Sequence, residues 1–134
     1  MSTAPAAAPK PLKVLVIEDS EVDALLLVEQ LRAGGYAPDA RRVDNAEDLM
    51  EALEKQAWDV IFSDHSMPRF SSTEALEIVR SSALDVPFII VSGVIGEEAA
   101  VAAMRAGAQD YLMKGNLTRL VAAVARELAE AEER

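Results

Sequence analysis

The sequence predicts a doubly wound α/β sandwich around a five-stranded parallel sheet, and three observations carry that prediction. Short runs rich in Val and Ile alternate with stretches of helical periodicity, five times over. The runs are mostly continuous rather than alternating in polarity, as strands covered on both faces require. Neither an internal repeat nor a linker to a second domain interrupts the series, so residues 12–134 read as one domain.

Residues 1–11 (MSTAPAAAPKP) hold three prolines and read as a disordered or polyproline-like tail. The predicted strands are LKVLVI (12–17), APDARRV (37–43), DVIFS (59–63), PFIIVS (87–92) and DYLM (110–113). The second is the most polar and suits a sheet edge. Ser20, Asn45 and Ser71 or Ser72 are helix N-cap candidates, and Ser71 with Glu74 has the spacing of a capping box. Gly34-Gly35 closes the first helix. Leu49, Met50, Leu53 and Ala57 share one helical face, and Leu117, Leu120, Val121, Val124 and Leu128 form the cleanest apolar stripe.

The first helix is less tidy: Val22, Leu25, Leu26, Leu27, Val28 and Leu31 wrap most of its circumference. Either it is wedged between two neighbours, or an outer strip, with Leu27 and Leu31 as candidates, docks a partner.

Half of the residues are hydrophobic but only 4% aromatic, so the core is expected to be aliphatic. The absence of cysteine excludes disulfides and thiolate metal sites. A net charge of -10 disfavours nucleic acid and anionic lipid as partners and favours proteins and a divalent cation. No run reaches the length of a membrane span, and no secretory signal is visible, so a cytoplasmic location is expected.

In an open parallel sheet the working residues lie just beyond the strand C-termini, near the point where strand order reverses. Those positions hold Glu18 and Asp19 after strand one, Asp64 after strand three, Ser92 after strand four and Lys114 after strand five. Singly, each has an ordinary explanation as a cap, a turn residue, loop chemistry or a solvated lysine. Their coincidence on one rim does not. Carboxylates ~5 Å apart repel by roughly 3 kcal/mol per pair at an effective dielectric of 20. Such a cluster therefore calls for a cation or a retained proton. Few carboxylates with room for water suit Mg2+. The set fits phosphoryl transfer, with Asp64 as nucleophile and Ser92 and Lys114 meeting the phosphoryl oxygens. His65, the only histidine, lacks a second His or a Cys to share a metal and reads as exposed loop filler.

The motifs VLVIEDSEVD (14–23), DVIFSDHSMP (59–68), PFIIVSG (87–93) and AGAQDYLMKG (106–115) resemble the receiver domain of bacterial two-component response regulators, from about Lys13 to Leu128. The resemblance implies a flavodoxin-like fold of strand order 2-1-3-4-5 with Asp64 as phosphoacceptor. It further implies Mg2+ bound directly by Asp19, through water by Glu18 and by the backbone carbonyl of Ser66. Lys114 and Ser92 then contact the phosphoryl group, and Ser92 and Tyr111 act as the switch pair. The face built from helix four, strand five and helix five would change partners. The sequence departs from the pattern at Gly115, where the family has a proline, often after a cis bond. A non-proline cis bond costs ~3 kcal/mol. Ala99, Ala100, Ala102, Ala103 and Ala106 give helix four little side chain to bury, so it should shift cheaply.

The implied donor is a histidine kinase or a histidine phosphotransfer protein, followed by slow self-dephosphorylation rather than turnover of external substrates. With no output domain expected after the fifth helix, the chain would act by binding another protein. Two further classes stay open. One is a phosphorylation-independent adaptor; the other is an aspartyl-nucleophile phosphatase, against which the second acid's usual position is Ser66.

Overall fold

The computed structural model describes residues 8–65, 67, 70–82, 84–93 and 97–133. Strands β1 (Lys10–Ile17), β2 (Tyr36–Val43), β3 (Val60–Asp64), β4 (Phe88–Ser92) and β5 (Asp110–Met113) form one parallel sheet in the order β2-β1-β3-β4-β5. Helices α1 (Glu21–Ala33), α2 (Ala46–Lys55), α3 (Ser72–Ser81), α4 (Glu97–Ala106) and α5 (Leu120–Glu133) connect them. This is the flavodoxin-like architecture expected above.

Strand residues alternate between two cores. Leu15, Ile17, Ile61, Phe88 and Ile90 face the layer of α2 and α3, with Ala103 of α4 packed at its margin. Val14, Val16, Val60, Phe62, Ile89 and Val91 face α1 and α5. Both sides are apolar, which is why the strands read as continuous runs. The cores are mainly aliphatic, but Phe62 and Phe88 are the largest fully buried side chains and sit in opposite layers.

The caps follow local chemistry. Ser20 accepts from the Asp23 N–H, Asn45 from Asp48, and Ser71 forms a reciprocal capping box with Glu74. Gly34 caps α1 and Gly35 turns with φ 98°. A Cβ at Gly34 would collide with Val121 of α5, so the glycine also lets those two helices approach.

Three expectations need correction. The sheet begins at Lys10, two residues inside the segment assigned to the tail. Lys10 N–H bonds Gly35 O and Lys13 N–H bonds Asp59, so alternate nitrogens face opposite neighbours. The Pro11 nitrogen therefore points to the side where β1–β3 pairing starts only at Val14, and its missing N–H costs no ladder bond. On α1, Leu27 and Leu31 are core residues, and the exposed strip is Val22, Leu25 and Leu26. On α2, Met50 is exposed and Ala57 lies beyond the helix, while Leu49, Ala52 and Leu53 are buried.

Candidate functional site

Strand order reverses between β1 and β3: the chain leaves β1 toward β2 and returns to pair β3 on the other side. The loops after these two strands diverge and leave a crevice at their carboxyl ends. Register then decides which side chains meet there. Ile17 pairs with Ser63, so Glu18 and Asp64 lie side by side one step further on. The loop after β1 is held by the Glu18 N–H to Val43 O at 2.9 Å and by Arg42 donating to Glu18 O at 3.0 Å.

Carboxylate oxygens of Glu18, Asp19 and Asp64 all lie within 4.8 Å of one another. Glu18 and Asp64 are buried, whereas Asp19 is exposed at the mouth. Lys114, delivered by the end of β5, places Nζ 3.4 Å from Asp64 Oδ1 and 2.6 Å from Asp23 Oδ2, and it also bonds Glu18. The described chain has no cis peptide bond, and with Gly115 next in sequence Lys114 still reaches the cluster. Ser92 is buried at the end of β4, on the strand beside Asp64, and its carbonyl accepts from the Lys114 N–H at 2.8 Å. Ser66 lies outside the described residues.

The electrostatics are those of an under-neutralised acid cluster. Burial pushes the Glu18 carboxyl up to about 7, and the Asp64 charge adds to this against the opposing pull of Lys114. Burial pulls the Lys114 ammonium down, but bonds to Asp23 and Glu18 outweigh it and hold Lys114 above its ordinary range. Hard oxygen donors converging on a crevice that holds Glu18 well above the ordinary carboxylate range fit a small divalent cation, and the Lys114 ammonium stands among them as a positive charge.

Asp23 was not anticipated. It lies in the first turn of α1, just past the Ser20 cap, and nothing in the sequence marks which way its side chain points. His65 is likewise more than loop filler. Its Nδ1 lies 2.9 Å from Ser72 Oγ at the start of α3, and its ring centroid is 6.0 Å from that of Tyr111. Tyr111 packs against the core, and its buried hydroxyl has no hydrogen-bond partner among the described residues.

The chain belongs to the response regulator receiver domain family, whose model matches residues 14–125. These are the phosphate-receiving modules of two-component signalling, and the family typically binds Mg2+ at an acidic pocket. The chain is 33% identical over 102 residues to the response regulator protein FleR of Pseudomonas aeruginosa, covering 76% of this chain and 21% of that one. It is 37% identical over 103 residues to the transcriptional regulatory protein PrrA of Mycobacterium tuberculosis, covering 76% and 43%. The DNA-binding transcriptional regulator NtrC of Rhizobium meliloti is 30% identical over 122 residues, covering 90% and 25%. The chain thus spans between a fifth and under half of the length of these curated relatives. Among solved structures, a signal receiver domain from Vibrio parahaemolyticus superposes with TM-score 0.80 at 27% identity, covering 92% of this chain and 94% of that one. A response regulator receiver domain protein from Clostridium thermocellum does so with TM-score 0.77 at 25% identity, covering 91% and 98%. No described helix is long and apolar enough to cross a membrane.

Proposed function

We propose that Asp64 is the phosphoacceptor of this domain and that its donor is a phosphohistidine on a histidine kinase or histidine phosphotransfer protein. The carrying observation is the crevice where Asp64, buried beside Glu18 and Asp19, lies 3.4 Å from the Lys114 ammonium. An Asp64 oxygen forms the new bond to phosphorus while the donor's P–N bond breaks. The donor imidazole leaves with the bonding pair and takes up a proton.

Asp19, Asp64 and Glu18 (the last through water) would hold Mg2+, with the Ser66 carbonyl as the further ligand that the family resemblance implies. The ion supplies charge neutralisation between an anionic donor and an anionic acceptor. Lys114 is within reach of a phosphoryl oxygen on Asp64, and Ser92 stands on the adjoining strand to donate its hydroxyl. Val22, Leu25 and Leu26 present exposed apolar surface on the helix that carries Asp23, a suitable landing strip for the donor protein.

Ser92 and Tyr111 would relay the modification to the face of α4, β5 and α5, where Val101 and Met104 are exposed. An acidic domain surface makes protein rather than nucleic acid the partner of this face. The relative named as DNA-binding matches over only a quarter of its length, so that property is not carried over to this domain.

The test is transfer of labelled phosphate from phosphorylated histidine kinases, with Mg2+, to the protein and to Asp64→Asn. Specific label is expected on the first and none on the second. Equal labelling of both removes the acceptor assignment. Mg2+-dependent beryllofluoride binding that needs Asp64 would exclude the phosphorylation-independent adaptor.

A further inference from the structure

The helices α2 and α3, on the sheet face opposite α1, enclose an open groove of about 630 Å³. Its apolar surface comes from Leu53 and Ile78, with Met50 46% and Leu84 40% exposed. Glu54, Glu74 and Glu77 line the same groove, and no basic side chain among the described residues does. Glu54 and Glu77 make no ion pair among the described residues, and Glu74 is committed only to the Ser71 cap. The nearby Lys55 is paired with Glu51 instead. The phosphoryl-transfer reading uses none of these residues.

We propose that this groove docks a basic amphipathic helix of a partner protein, with apolar residues between α2 and α3 and Lys or Arg over the three glutamates. Charge decides the sign of the partner: desolvating unpaired carboxylates is unfavourable unless cations replace the lost water. A second copy of this chain, at net charge -10, brings the wrong sign, as do anionic lipid and nucleic acid. Backbone chemistry decides its conformation. Both walls are helices and offer no sheet edge, so an incoming chain that buries its backbone there must satisfy its own N–H and C=O groups. A helix does so.

The probe is a synthetic Leu/Lys peptide of about 15 residues with leucines at helical i, i+3, i+4 spacing, titrated into the 15N-labelled protein at physiological salt. Resonance shifts are expected to cluster on α2 and α3. Affinity should fall about tenfold or more in Glu54→Lys/Glu77→Lys, and also in Met50→Ser/Leu84→Ser. The pair Glu98→Lys/Glu130→Lys makes the same change of net charge elsewhere on the exposed surface and should leave binding intact. Shifts scattered over the acidic surface, shifts centred on the Val22, Leu25 and Leu26 strip, or equal losses in both charge-reversal pairs would overturn the proposal.

Discussion

Two buried acid clusters in this domain are built on opposite terms. Asp110, at the start of β5, accepts from Arg126 at 2.8 Å, from Arg119 at 3.2 and 3.3 Å and from the Tyr111 N–H at 2.7 Å. The neighbouring buried Glu127 bonds Arg126 at 3.1 Å. Two acids thus face two guanidinium groups whose planar forks suit carboxylates. At the other end of the same strand, Lys114 faces Glu18, Asp23 and Asp64, with Asp19 at the mouth. Among the described residues, one ammonium among four carboxylates leaves that end short of positive charge. Balance marks a structural cluster; the deficit marks the place where a cation and a transferable phosphoryl group have something to do.

The largest effect should come from removing the Lys114 ammonium. Lys114→Ala leaves the buried Asp64 charge beside Glu18 without its cation and should cost about 2–3 kcal/mol of stability without Mg2+, much of it recovered when Mg2+ is added. Arg126→Ala leaves Arg119 on Asp110 but takes from buried Glu127 the guanidinium it bonds, should cost about 1–2 kcal/mol, and should show no such recovery. Urea unfolding with and without Mg2+ measures both. Equal Mg2+ rescue of the two variants would break the contrast.

The next effect is a pH dependence confined to the deficient cluster. Glu18 titrates near 7 when folded, against an ordinary value of 4.5. Between those values the folded chain holds a proton that the unfolded chain has released, so stability should fall as pH rises from about 4.5 to about 7. The loss should be on the order of 2 kcal/mol without Mg2+. Glu18→Gln should flatten this slope in denaturant titrations across that range, whereas Asp110→Asn should not.

The smallest effect lies between the clusters. Tyr111 follows Asp110, and its hydroxyl is buried without a partner among the described residues. An unsatisfied buried hydroxyl is unfavourable, so Tyr111→Phe should be neutral or stabilising by up to about 1 kcal/mol. Thermal unfolding of the unphosphorylated variant tests this, and a clear loss of stability would mean that the hydroxyl has a partner in solution.

Much of the deficient cluster was legible in order along the chain. Strand runs ending in Glu18-Asp19, Asp64, Ser92 and Lys114 mark one rim because parallel strands share a direction. Asp23 was as visible as Asp19, four residues on in a helix, but a single acid on a helix surface carries no mark of where it points. His65 was misjudged for a similar reason: a lone histidine after a strand says nothing of the Ser72 hydroxyl and Tyr111 ring that await it. The outer strip of the first helix was sought on the wrong residues, Leu27 and Leu31, because six apolar residues wrapped around it give no phase.

By itself the sequence determined the order of strands and helices, the two-sided burial of the sheet, the caps, and which residue types could stand at the strand ends. Those depend on periodicity and short-range hydrogen bonding, which neighbouring residues encode. Tertiary structure alone decided that Leu27 and Leu31 are core while Val22, Leu25 and Leu26 are exposed, that Lys114 divides itself among Glu18, Asp23 and Asp64, and that Asp110 is matched by two arginines. Each depends on register and on the angle at which one element meets another, and both are set by long-range packing.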